Sequence, residues 1–178
     1  MIKPIFLVGY MCSGKSSVGA GLSRKLGVEF VDLDSLITSR YGESVSDIFS
    51  HYGEFEFRNI EREQLEEVVE LKNVVVALGG GTPCWFDNME RICHSGLTLF
   101  LDLPVKTIFD RAVKAAGDRP LLSGCKSDDE LVKQIEKQIS ERRVFYERAD
   151  IHLTIDEGLS VDDVVDKIIQ IIDSRGEL

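Results

Sequence analysis

Gly9-Tyr10-Met11-Cys12-Ser13-Gly14-Lys15-Ser16 follows a short apolar run, Ile5 to Val8, and precedes a segment in which Val18, Leu22 and Leu26 recur at helical spacing. The octapeptide fits G-x-x-x-x-G-K-[ST]. Its flanks read as strand and then helix, the context in which this pattern wraps backbone N–H groups around a phosphate. A helix beginning at Lys15 adds roughly half a positive charge at its first turn. Lys15 is therefore placed to bridge the β- and γ-phosphates of a nucleotide, and the Ser16 hydroxyl to ligate Mg²⁺. Gly9, Cys12, Ser13, Gly14 and Ser17 complete the expected nucleotide-binding set. The side chains at the x positions Tyr10, Met11 and Cys12 are expected to point outward.

Working outward, strand-length apolar runs alternate with helical segments, as in a parallel sheet built from βαβ crossovers. Strands are expected at Ile5 to Val8, Val28 to Asp32, Val74 to Leu78, Leu97 to Leu101 and Ile151 to Ile155. Residues 34 to 71 read as helix in pieces, broken near Gly42 and Gly53. A short helix holds Met89 and Ile92 and ends at Gly96. Another begins near Pro104, capped by Asp102, with Ile108, Ala112 and Val113 as its apolar face. A helix over 127–146 and a last one through Val161, Val164 and Ile168 complete the chain. Residues 115–126 break the pattern, and their composition suits a lid with Gly117 and Gly124 as hinges.

The 178 residues fit one domain, taken as 1–178. Twenty-one Lys and Arg against 31 Asp and Glu give a net charge of −10, which disfavours nucleic acid and anionic membranes as partners. Any anion site must be locally basic. Cys12, Cys84, Cys93 and Cys125 have no C-x-x-C spacing, so reduced thiols are expected rather than disulfides or a zinc site. No stretch has the length of a signal-peptide core or a membrane span, which makes a cytoplasmic location the default.

Three constellations bear on the acceptor of the phosphate. Asp32 and Asp34 end the second strand as D-x-D, where the strand period of two would set both carboxylates on one side. Arg58 and Glu61 lie at i and i+3 of a helix, an arrangement that a surface ion pair would also produce. Gly79-Gly80-Gly81 follows an apolar strand and leaves bare backbone for a ligand to lie against.

With these residues in view, the chain resembles the shikimate kinase family. The likeness is carried by the Gly9 to Ser16 loop, F-x-D-x-D at Phe30 to Asp34, and I-F-x-x-x-G-E-x-x-F-R-x-x-E at Ile48 to Glu61. Gly79-Gly80-Gly81, Asp118-Arg119-Pro120-Leu121-Leu122 and the spacing of Arg142 with Tyr146 continue it in order. The resemblance implies an α/β three-layer P-loop fold with a five-stranded parallel sheet in the order 2-3-1-4-5, a substrate-binding segment at about 33–61 and a lid at about 115–126. It implies ATP-dependent phosphorylation of the shikimate 3-hydroxyl, in the route to chorismate and the aromatic amino acids, by a monomer.

By the same resemblance, Asp34, Arg58, Gly79, Gly80, Gly81 and Arg142 hold shikimate, the two arginines gripping its carboxylate. Lys15, Asp34 and Arg119 are the catalytic residues, with Asp34 orienting or deprotonating the hydroxyl and Arg119 delivered by the lid. Ser16 and Asp32 serve Mg²⁺, Arg111 stacks on the adenine of ATP, and Phe49 and Phe57 wall the acceptor pocket. Val144 stands where many relatives carry proline, expected in a turn. Two readings stay open beside this one: another small-molecule kinase, for gluconate or a nucleoside monophosphate, and a non-catalytic nucleotide-binding module.

Overall fold

The structure is a computed structural model and describes residues 2–114 and 127–176. Its centre is a five-stranded parallel sheet of β1 (Ile5–Val8), β2 (Glu29–Asp32), β3 (Val74–Ala77), β4 (Leu97–Asp102) and β5 (Ile151–Thr154), in the order β2-β3-β1-β4-β5. That is the expected order. β1 and β3 are buried at every position, which explains their continuous apolar runs.

The helices cover the sheet: α1 (Lys15–Leu26), α2 (Leu33–Tyr41), α3 (Val45–Val68), α4 (Asn88–Ser95), α5 (Val105–Lys114), α6 (Asp128–Tyr146) and α7 (Val161–Arg175). α1 ends at Gly27 and α2 at Gly42, both left-handed caps. Gly53 kinks α3 with φ 82° and ψ 167°, so the expected break is a bend within one element. Ser160 and Asp163 form a reciprocal capping box at the start of α7.

The register sets the site. Asp32 pairs with Ala77 and Leu7 with Ala77, which aligns the carboxyl ends of β2, β3 and β1. Loops leaving these neighbouring ends meet at one edge, the usual ligand position in such sheets.

Three expectations need correction. Asp102 does not act as a helix cap; its carboxylate takes both terminal nitrogens of Arg143, at 3.3 and 2.7 Å. A charged fork from α6 offers a carboxylate more than one backbone N–H can. Val113 is 46% exposed rather than on the apolar face of α5. Val144 sits inside α6 on its exposed side, not in a turn. The segment 115–126, and with it the lid, Arg119 and Cys125, lies outside the described residues. Cys12, Cys84 and Cys93 are not disulfide-bonded among the described residues. No helix among the described residues is long and apolar enough to cross a membrane.

Candidate active site

The site begins where β1 ends. Gly9 has φ 144°, and a Cβ there would approach the Leu101 carbonyl oxygen to 2.8 Å, so both conformation and space require glycine. Cys12 and Gly14 are also left-handed, with φ 61° and 93°, which curls the loop into the first turn of α1. Lys15 is 8% exposed and donates from Nζ to the carbonyls of Gly9 and Tyr10, both at 2.9 Å. The ammonium thus lies inside the curl. Arg111, from the last turn of α5, donates from Nη1 to the Cys12 carbonyl at 3.1 Å. Ser13 is buried, while Ser17 lies exposed on the first turn of α1.

Ser16 donates to Asp32 Oδ2 at 2.5 Å, and Asp32 Oδ1 accepts from the Ser35 N–H at 3.1 Å as the N-cap of α2. The pairing of Asp32 with Asp34 therefore differs from the expected strand alternation. The chain turns into α2 after Asp32, and Asp34 belongs to the first helical turn. It reaches the same place by another route: a Cβ on Gly79 would lie 2.9 Å from Asp34 Oδ1 and 2.8 Å from Glu61 Oε1. Asp34 opens onto the cleft, so water reaches its exposed side. The cleft walls crowd the carboxylate elsewhere, and this desolvation, reinforced by the negative charges of Glu61 and Asp32, pushes it up to about 6. Lys15 and Arg58 oppose the shift without cancelling it.

Arg58 and Glu61 form a buried pair, 4% and 1% exposed, rather than a surface one. Arg58 Nη1 donates to Glu61 Oε2 at 2.8 Å, while Glu61 Oε1 accepts from the Thr82 hydroxyl at 2.5 Å. Nη2 reaches Glu54 at 3.2 Å. Three rings surround the guanidinium: Phe57 at 5.2 Å, and Phe49 and Trp85 each at 5.5 Å. Phe49 and Phe57 also stack on each other at 4.4 Å, so they hold Arg58 between them. A Cβ on Gly81 would come within 2.5 Å of Arg58 Nη2.

Gly80 joins the two halves. A Cβ there would sit 3.1 Å from the Met11 nitrogen, and its carbonyl accepts from the Tyr146 hydroxyl at 2.5 Å. Arg142, one turn before Tyr146 on α6, lies over the Tyr10 ring at 5.5 Å. The structure thus brings Lys15, Ser16, Asp32, Asp34, Arg58, the three glycines, Arg111 and Arg142 into one chain of contacts.

Tyr10, Glu54, Thr82 and Trp85 were not singled out as site residues by sequence reasoning. Glu54 stands four residues before Arg58, and Trp85 is the chain's single tryptophan; these were the available signals. Cys84 beside them is no nucleophile at neutral pH, because burial pushes its thiol up to about 11.

A model of the shikimate kinase family matches residues 11–173. The chain is 45% identical over 145 residues to the shikimate kinase of Bacteroides fragilis, covering 82% of this chain and 80% of that one. It is 42% identical over 165 residues to that of Parabacteroides distasonis, covering 93% and 95%. The crystal structure of the Bacteroides thetaiotaomicron shikimate kinase superposes with a TM-score of 0.90 at 37% identity, covering 97% of this chain and 99% of that one. The Acinetobacter baumannii shikimate kinase, solved in complex with shikimate, gives 0.91 at 31% identity, covering 98% and 95%. The chain belongs to the shikimate kinase family, with the P-loop kinase fold of its solved members.

Proposed function

We propose that the chain transfers the γ-phosphate of ATP to the 3-hydroxyl of shikimate, giving shikimate 3-phosphate and ADP. The observation that carries this reading is the convergence of Lys15, within the phosphate loop, with Asp34, Arg58 and Arg142 through the glycine run. Arg58 and Arg142 are the carboxylate clamp, and their planar forks suit a bidentate anion. Gly79, Gly80 and Gly81 let the acceptor approach between them. Lys15 holds the transferred phosphoryl group, Arg111 meets the adenine, and Arg119 acts from the segment outside the described residues.

The Ser16 hydroxyl is a hard oxygen donor that fits Mg²⁺, and Asp32, hydrogen-bonded to it at 2.5 Å, would hold the ion's shell through water, with phosphate oxygens completing it. The ion would neutralise charge on the phosphates. Asp34 accepts the proton of the attacking hydroxyl. A carboxylate near 6 is mostly ionised at neutral pH yet more basic than an ordinary aspartate. We read residues 1–178 as one monomeric cytoplasmic domain, with 33–61 as the acceptor segment and 115–126 as the lid.

A nucleotide acceptor fits less well, because the acceptor half offers two arginines and a buried carboxylate rather than groups that read a base. A coupled assay with MgATP and shikimate, gluconate or nucleoside monophosphates side by side tests the reading. ADP release with shikimate alone supports it; turnover with another acceptor and none with shikimate would overturn it.

Two further results are expected. Because the base must be ionised, kcat/KM should fall below about pH 6 with the uptake of one proton, and Asp34→Asn should lower kcat by about 10²–10⁴. A rate profile flat to about pH 5 would remove Asp34 from this role. Gly81→Ala should push the Arg58 guanidinium aside, at a packing cost of about 1–3 kcal/mol, and raise the shikimate KM while the ATP KM holds. Equal effects on both constants would show that the cleft as a whole had been disturbed.

A further inference from the structure

Tyr10 was expected to point outward, as a tolerated side chain in the phosphate loop, yet it is 3% exposed. Three separate contacts converge on it. Its backbone carbonyl accepts from Lys15 Nζ at 2.9 Å. Its ring lies under the Arg142 guanidinium, 5.5 Å from the centroid. Its hydroxyl donates to Gln138 Oε1 at 2.7 Å, and Gln138 stands one helical turn before Arg142 on the same face of α6.

We propose that Tyr10 is a positioning residue for the acceptor clamp, setting Arg142 against the phosphate loop so that the organic acid and the transferred phosphoryl group are held in register. The inference rests on the shikimate kinase reading and extends it to a residue that the phosphate-loop pattern leaves unspecified.

The physics is one of orientation. An arginine on a helix has several rotamers, and ordering such a long side chain opposes binding. The negative face of the Tyr10 ring attracts the guanidinium and favours the rotamers that lie across it. The Gln138 bond fixes the ring in turn, from a position that moves with the same helix. The main chain of Tyr10 is part of the loop that holds Lys15, so the two binding halves share one residue. A leucine would fill much of the volume and keep the carbonyl, but it has no quadrupole and no hydroxyl.

The test is steady-state kinetics of the full chain as wild type, Tyr10→Leu, Tyr10→Phe and Arg142→Ala, and of the Tyr10→Leu/Arg142→Ala double variant. Tyr10→Leu is expected to raise the shikimate KM roughly five- to tenfold, the equivalent of one partly desolvated cation–π contact, with the ATP KM changed less than about twofold. Tyr10→Phe should recover most of that loss. In the Arg142→Ala background, Tyr10→Leu should add almost nothing, because its effect passes through Arg142.

Fully additive effects in the cycle would overturn the proposal, as would an unchanged shikimate KM in Tyr10→Leu or an equal rise in both KM values. Phe performing as badly as Leu would also overturn it, since the ring would then have no role of its own. Should Tyr10→Leu fail to fold, Gln138→Ala takes its place; a rise of about two- to threefold in shikimate KM alone supports the proposal and no rise refutes it. A wild type inactive on shikimate would fail the parent reading itself. That outcome is separate from every variant result.

Discussion

Lys15→Ala is expected to lower kcat about a thousandfold with every acceptor, while the protein stays folded and binds shikimate. The ammonium is buried inside the loop, on two carbonyls at 2.9 Å, and its position is set by backbone that Gly9 and Gly14 alone permit. Charge developing on the phosphoryl oxygens would meet a cation already desolvated and oriented, so little reorganisation is left for the reaction to pay for. Removing one such preorganised group costs about 10²–10³ in hydrolytic enzymes, and a full charge on the transferring group belongs at the upper end. Single-turnover measurements at saturating MgATP check it. Activity within about tenfold of wild type would detach Lys15 from the chemistry.

Glu61→Ala is expected to damage both stability and acceptor binding. Glu61 is 1% exposed and carries Arg58 on one oxygen and Thr82 on the other. Its removal leaves the buried guanidinium with the exposed Glu54 as its carboxylate partner and strands a buried hydroxyl, and breaking a buried ion pair from one side costs about 3–5 kcal/mol. For a chain of this length that corresponds to a fall of about 10 °C in Tm. The same loss frees Arg58 to leave the rings of Phe49, Phe57 and Trp85, so the shikimate KM should rise more than about tenfold.

The energetics say why the pair exists. A buried ion pair gives little net stability compared with apolar residues of the same shape. Its value lies in holding one guanidinium in one place. Calorimetry and kinetics on the same preparation read both effects, and an unchanged Tm together with an unchanged KM would refute the network.

Much of the fold was legible because its determinants are local. The phosphate loop is eight consecutive residues, and its strand and helix adjoin it; Gly27 and Gly42 mark helix ends within their own segments. The acceptor half was legible as residues but less so as geometry. Arg58 and Glu61 show in their spacing, yet their burial depends on Thr82 and Trp85, which arrive on the loop after β3. Asp34 was placed correctly beside Asp32 for the wrong reason, since strand alternation stops where Asp32 caps α2.

Tyr10 was misread as pointing outward, because Gln138, the partner of its buried hydroxyl, is 128 residues away. Asp102 was misread for a related cause: Arg143 comes from α6, 41 residues on, and outcompetes the local cap. Long-range partners of this kind leave no periodic trace.

The most direct measurement is a crystal structure with Mg²⁺, ADP and shikimate bound together. The expected result is a shikimate carboxylate held by Arg58 and Arg142, with its 3-hydroxyl within hydrogen-bond reach of Asp34 and the β-phosphate of ADP in the Gly9 to Ser16 loop. Shikimate bound elsewhere, or with its carboxylate turned from both arginines, would contradict the assignment of this cleft.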